Sequence, residues 1–342
     1  MQFARCFWIA AACAFSLLLS SSAARAQQTK LLPNDTEMIV TFNVQQILKS
    51  EVLKGDQAKV ILEIAKTKIT EGLDDKGVAK WLKQADFDLF QDLHSITFAI
   101  PGGRNPEEGF ILLEGKFDAD KIEAAATEAS KEAGGGLKVV KIGKAKAFEV
   151  SPKGEKTMYV GVLNKKTIIA CATKADFAEA VARLNGDKSP NYKSDVFKSL
   201  LETVNNKQSI SFVATSNMLA KLAEKAPEGA GGAQAAQAIA LLKQMDGFSA
   251  AVTIQKNIDF QLGVNTKDNE TASKYAGLGN ILIGAAKVKI GDEAKKNETL
   301  VPALEVLNTI RVTAQGSNLV VRGQITFATL EKLLQNLPIP NN

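Results

Sequence analysis

Histidine is almost absent from this chain: His94 is the only one in 342 residues. Zinc sites built on H-E-x-x-H or on histidine clusters are therefore excluded. A Ser-His-Asp or Cys-His arrangement has to use His94, which sits in "QDLHSITF" at the start of a strand-like run. No G-x-S-x-G elbow accompanies it, so His94 reads as a surface or edge-strand residue. Aromatics make up 6% of the chain, and most are Phe. That leaves little for sugar or base stacking, and no basic-aromatic interleaving of the kind found in single-strand binders. Lysines and acids are interspersed, with no block of five like charges. A mixed solvated surface is expected, and nucleic acid is not expected as a partner.

Cysteine is scarce too, and two of the three fall in the first segment. That segment has the order of a secretory signal peptide: Arg5, an uncharged apolar run from Phe7 to Leu19, then Ala24-Arg25-Ala26 before Gln27. The apolar run is shorter than the ~20 residues needed to span a bilayer. Cleavage after Ala26 is expected, leaving 316 of the 342 residues and lowering the formal charge from +5 to +3 through loss of Arg5 and Arg25. Cys171 is then the remaining thiol, so the mature chain has no internal disulfide. In "TIIACAT" it reads as a buried small hydrophobe. No later segment is long and apolar enough to cross a membrane, which predicts a soluble periplasmic or extracellular protein.

The mature chain reads as two similar halves, residues 27–190 and 191–342, forming either one continuous domain or two. In the first half Met38, Val40, Phe42 and Val44 alternate with Ile39, Thr41 and Asn43, a strand period of two. Helical spacing follows through Ile47, Leu48 and Val52, then through "QAKVILEIAKTKI" and "GVAKWLKQADFDLF", with Trp81 and Leu82 as core contacts. The strand pair "LHSITFAIP" and "EGFILLEGKF" comes next. A helix from Asp118 to Ala133 stops at the glycines 134–136. The β-type runs "LKVVKIG", "AKAFEVS" and "KTMYVGVLNKKTIIACAT" follow, the last turning at Asn164-Lys165. "KADFAEAVARLNG" closes the half as a helix ended by Gly186. The second half repeats this order. "QSISFVATSNMLAKLAEKAPEG" mirrors the first strand and helix, "GFSAAVTIQKNIDFQLGVN" mirrors the strand pair, and "FATLEKLLQNLP" mirrors the closing helix, ended by Pro338. The expected class is α+β, with largely antiparallel sheets, helices packed on one face and an internal duplication.

Chemistry-bearing motifs are few. "GGGLKVVKIGKAK" lacks the phosphate-loop spacing and follows a helix. "GLGNILIG" does not fit G-x-G-x-x-G, because Gly279 and Gly284 are five apart, and reads as helix punctuation. Glu107-Glu108, Asp118-Asp120 and Asp86-Asp88 are acid pairs of the type a glycoside hydrolase uses, without a recognisable context. Counted as a calcium loop from Asp118, the fifth residue is Ile122, which cannot ligate. Asp118 or Asp120 instead suits the N-terminus of the following helix, with Glu123 at capping-box distance from Asp120. Asp268 and Asn269 offer the same service in the second half. No catalytic, cofactor or metal residue is assigned, and no cofactor is expected.

"LLPNDTEMIVTFNVQQILKS", "GFILLEGKFDADKIEAAA", "MYVGVLNKKTIIACATKADFAEAVARL" and "VVRGQITFATLEKLLQNL" resemble a group of secreted proteins of unknown function, frequent in planctomycete-type bacteria. The resemblance implies an exported α+β protein and supplies no site residues. A non-enzymatic binding or structural protein is the leading expectation, its partner a protein, a polymer or a lipid. A carboxylate-dependent extracellular hydrolase and a carrier of a lipophilic ligand are the alternatives.

Overall fold

A computed structural model describes residues 29–74, 82–105, 108–132, 137–151, 156–204, 207–224 and 245–335. The expected signal segment, Trp81, Glu107, the glycines 134–136 and Pro338 lie outside these residues. Among the described residues every strand belongs to one twelve-stranded sheet, and each neighbouring pair is antiparallel.

The first half supplies β1 (Thr36–Phe42), β2 (Leu93–Pro101), β3 (Phe110–Gly115), β4 (Leu137–Ile142), β5 (Ala145–Val150), β6 (Met158–Asn164) and β7 (Thr167–Cys171). Its helices are α1 (Val44–Leu48), α2 (Asp56–Asp74), α3 (Leu89–Asp92), α4 (Ala119–Glu132) and α5 (Lys174–Leu184). The second half begins with α6 (Asp195–Glu202), β8 (Ile210–Thr215) and α7 (Ser216–Glu224). It continues with β9 (Met245–Ile254), β10 (Ile258–Thr266), α8 (Asn269–Ala294) and α9 (Val301–Thr309), and ends with β11 (Arg311–Gln315), β12 (Asn318–Ile325) and α10 (Phe327–Gln335).

The strand order is β11-β12-β10-β9-β8-β1-β2-β3-β7-β6-β5-β4. The two halves therefore share one sheet, joined where β1 lies against β8 with Val40 opposite Phe212. Outward from that seam the first half runs β1-β2-β3-β7-β6 and the second runs β8-β9-β10-β12-β11. The order of use is the same in both. The hairpin β4-β5 extends the first half, and α9, which the sequence reading did not foresee, leads into β11 in the second.

The α+β class and the antiparallel sheet agree with expectation, whereas the placement of the helices differs. In the first half they cover both faces. Ile169 and Cys171 pack with Phe177 and Ala180 of α5, while the adjacent Ile168 packs with Ile122 and Ala125 of α4. Neighbouring strand residues point to opposite faces. The unbroken apolar run Ile168–Cys171 thus supplies a core on each side, as strands buried on both faces do.

A second core layer joins the halves. Phe197 and Leu200 of α6 pack with Ile39 of β1 and Val213 of β8 on the face that α5 also covers. The N-terminal segment is tied to this layer by Arg183, which is fully buried. Its guanidinium donates to the carbonyls of Leu31 and Leu32, to Asn34 Oδ1 at 2.7 Å and to Glu179 Oε1 at 2.7 Å. The Tyr192 hydroxyl donates to the Thr29 carbonyl. Arg104, in the β2–β3 turn, bridges Asp176 at 2.5 Å and Asp35 at 3.0 Å, and Thr173 donates to Asp176 as well. This network locks the entry to β1 against the start of α5.

Candidate ligand-binding face

The two faces of the central strands differ in chemistry. Around the seam, the face covered by α5 and α6 carries Thr41, Thr97, Ser211 and Ser249 beside its few large apolar residues, and the Thr41 and Thr97 hydroxyls are hydrogen-bonded at 3.1 Å. The other face is apolar across eight strands. One cross-strand row runs Ile111, Phe98, Val40, Phe212, Ala250, Leu262, Val321, Val312, each residue opposite the next. A second row, Leu113, Ile96, Phe42, Ile210, Val252, Phe260, lies beside it. A third, from Ile100 through Met38, Ala214, Phe248 and Val264 to Leu319, lies on the other side. At ~4.8 Å per strand the first row is about 35 Å long.

This apolar face is the less covered one. Phe98 is 41% and Leu262 49% exposed, whereas Ile39 and Val213 on the opposite face are 3% and 0% exposed. Most other members of the rows are half-buried. A contiguous apolar patch left open to solvent is unusual, because burying such surface stabilises by ~25 cal/mol per Å². Helices stand at its margins. At one end Ile96 and Leu113 continue into the cluster of α4, with Val44 of α1 and Leu89 of α3. At the other, α8 approaches so closely that a Cβ on Gly279 would lie 3.2 Å from Val312. Asn280 of α8 also donates to the Val312 carbonyl at 3.0 Å. Along the strand ends, α2 starts beside the Phe327 ring at Gly55 and sets Lys66 5.8 Å over the Phe90 ring.

The residues singled out for chemistry are not brought together. His94 is exposed on β2. Cys171 is fully buried, and burial pushes its thiol up to about 12, so it is inert at neutral pH. Asp118 is the cap of α4, accepting from the Lys121 amide at 3.1 Å. Its neighbour Asp120 lies in the first turn. The capping box expected between Asp120 and Glu123 is replaced by an ion pair, since Glu123 reaches Lys146 of β5 at 2.7 Å. Asp86 pairs with Lys121 at 2.6 Å, which holds its carboxyl below the usual range. Asp88 caps α3, accepting from the Phe90 and Gln91 amides. Glu108 pairs with Lys156 at 2.9 Å. Among the described residues no group of three His, Cys, Asp or Glu is placed to hold a metal ion. In the second half Asp268 takes the cap of α8, accepting from the Thr271 amide at 2.7 Å. The glycines of "GLGNILIG" do not punctuate that helix, which runs through them to Ala294.

No family model matches the chain, and no curated protein matches it. Among solved structures, crystal form I of TP0453 is similar at 9% identity and a TM-score of 0.39, covering 89% of this chain and 95% of that one. Among the described residues no helix is long and apolar enough to cross a membrane.

The open face is the feature the sequence reading missed. Its signal was present: Met38, Val40 and Phe42, the apolar set of β1, recur as Ile210 and Phe212 on β8 and as Ile96 and Phe98 on β2. What the sequence does not show is which of the two faces the helices cover.

Proposed function

We propose that this is an exported, non-enzymatic binding protein whose ligand is lipophilic, an acyl chain or similar aliphatic group laid across the open sheet face. The observation that carries the reading is the cross-strand apolar surface spanning both halves, with Phe98 and Leu262 exposed in one row. Apart from the weakly accepting thioether of Met38, the three rows contain no side-chain donor or acceptor. A glycan or a nucleic acid needs hydrogen-bonding groups for recognition, whereas an aliphatic chain needs only apolar area and shape. Asp86, Asp88, Asp118 and Glu108 are engaged in caps and ion pairs, which offers no support for the hydrolase alternative. Export rests on the signal-like segment ending at Ala26 and on the resemblance to secreted proteins. The shared strand order of the two halves supports descent from one duplicated unit.

The test is a titration of the purified chain with a fluorescent fatty acid. Saturable binding is expected, weakened at least tenfold in Phe98→Asp and Leu262→Asp. Absence of saturable binding by the unmodified chain overturns the reading. Sequencing of the N-terminus after cell fractionation tests export: a chain beginning at Gln27 outside the cytosol is expected, and an uncleaved cytosolic chain refutes it.

A further inference from the structure

Helix α8 presents a second apolar surface, facing away from the sheet. Its inward side is small, with Ala272 0% and Ala276 7% exposed, and Gly279 against Val312. Its outward side carries the largest exposed apolar residues of the helix: Leu278 at 47%, Ile281 at 69%, Leu282 at 69% and Val288 at 68%. The spacing 278, 281, 285, 288 is that of a helix–helix seam. Gly277 and Gly284 lie seven residues apart along the same side. A Cβ built on either meets no described atom within 4 Å, so neither glycine is required by a contact inside the described chain. Glycine within a helix weakens it relative to alanine. A surface that keeps glycines beside exposed Leu, Ile and Val is shaped for the close approach of another helix backbone.

The charges on this side select the partner. Lys274 and Asp292 lie five helical turns apart on the same stripe as Ile281 and Ala285. In an antiparallel pairing of two α8 helices centred on Ile283, Lys274 meets Asp292 of the second copy, twice by symmetry. Leu278 then meets Val288, and Ile281 meets Ala285. Glu270, in the first turn of the helix, then meets Lys296 just past the end of the second copy's helix. A parallel pairing places like charges together. Asp292 holds Lys295 of its own chain at 2.9 Å, an exposed pair that can be shared or exchanged. We propose that the outward side of α8 is an isologous interface through which two copies of this chain associate about a two-fold axis. The contact is a single helix pair, which places it among small and reversible interfaces. It lies on the opposite side of α8 from the sheet and does not depend on what occupies the open face.

Sedimentation velocity over a concentration series tests the proposal. The unmodified chain should show a reversible monomer–dimer equilibrium. Ile281→Glu should remain monomeric, with an unchanged melting temperature because the side chain is exposed. Lys274→Glu and Asp292→Lys should each raise the dissociation constant about fivefold, and the double variant should recover it. A chain that is monomeric at every concentration overturns the proposal. So does a double variant no better than the single ones, or a dimer that survives Ile281→Glu. If the chain stays monomeric yet binds phosphatidylglycerol vesicles through Ile281, the stripe serves a lipid surface and the two-fold interface is refuted.

Discussion

Phe98 and Leu262 stand in one cross-strand row on one face of the sheet, separated by β1, β8 and β9, and both are exposed. The row therefore crosses the seam between the halves, with Val40 and Phe212 at its middle. Truncating its exposed members removes little native packing. Phe98→Ala and Leu262→Ala should each change stability by less than ~1 kcal/mol, while lowering the fluorescence of a bound apolar dye such as ANS. A large loss of stability would show that these side chains are covered in solution.

Arg183 is the opposite case. Its guanidinium is fully buried and satisfies two carbonyls of the N-terminal segment together with Asn34 and Glu179. Arg183→Ala strands these acceptors, and breaking a buried charged network costs about 3–5 kcal/mol. The expected outcome is a strongly lowered denaturation midpoint, with protease cleavage appearing first near residues 29–34. Cleavage elsewhere first would place the weakest point outside this anchor.

Asp118 and Asp120 separate capping from metal binding. Asp118→Ala should cost about 1 kcal/mol, the usual worth of an N-cap, and Asp120→Ala should cost less. A calcium titration of the unmodified chain should leave the melting temperature unchanged. A calcium-dependent rise abolished by both substitutions would restore the metal reading.

Two buried acids set the response to alkali. Burial pushes the Cys171 thiol from 9.0 up to about 12 and pushes the Tyr192 hydroxyl above its ordinary value of 10.0. Above pH 9 the unfolded chain releases the thiol proton while the folded chain keeps it. Stability is therefore whole below pH 9 and falls as the pH rises towards 12. Urea midpoints measured from pH 7 to 11 should be level and then decline, and Cys171→Ala should flatten the first part of the decline. A level profile to pH 11 would mean that the thiol is solvated.

The strands were legible because their signals are local. Asn164 closes the β6–β7 turn by accepting from the Lys166 amide at 2.7 Å, and the alternation from Met38 to Phe42 marks β1. The capping role at Asp118 followed from the ligand spacing that Ile122 breaks. Arg183 was not legible, since an arginine at the end of an amphipathic helix reads as solvated, and only the fold brings the 29–34 segment to it. The Arg104–Asp176 pair, 72 residues apart in sequence, is hidden for the same reason. The open face was half legible. Periodicity separates the two sides of each strand, but coverage by helices is a tertiary fact. The segment "KDNETASKYAGLGNILIGAAKVKIG" is legible as a helix, but its glycines, which suggest punctuation, lie inside a 26-residue helix.

Among the described residues the twelve-stranded sheet ends at two margins, β11 and β4. At β11 the Asn280 amide already occupies the outward Val312 carbonyl. At β4 the exposed Lys138 and Lys141 place charges where an incoming strand would have to dock. The chain can thus leave its stickiest surface uncovered on a face while both margins resist strand addition. Both features disfavour self-templated growth into fibrils, while the apolar face itself stays open to contact.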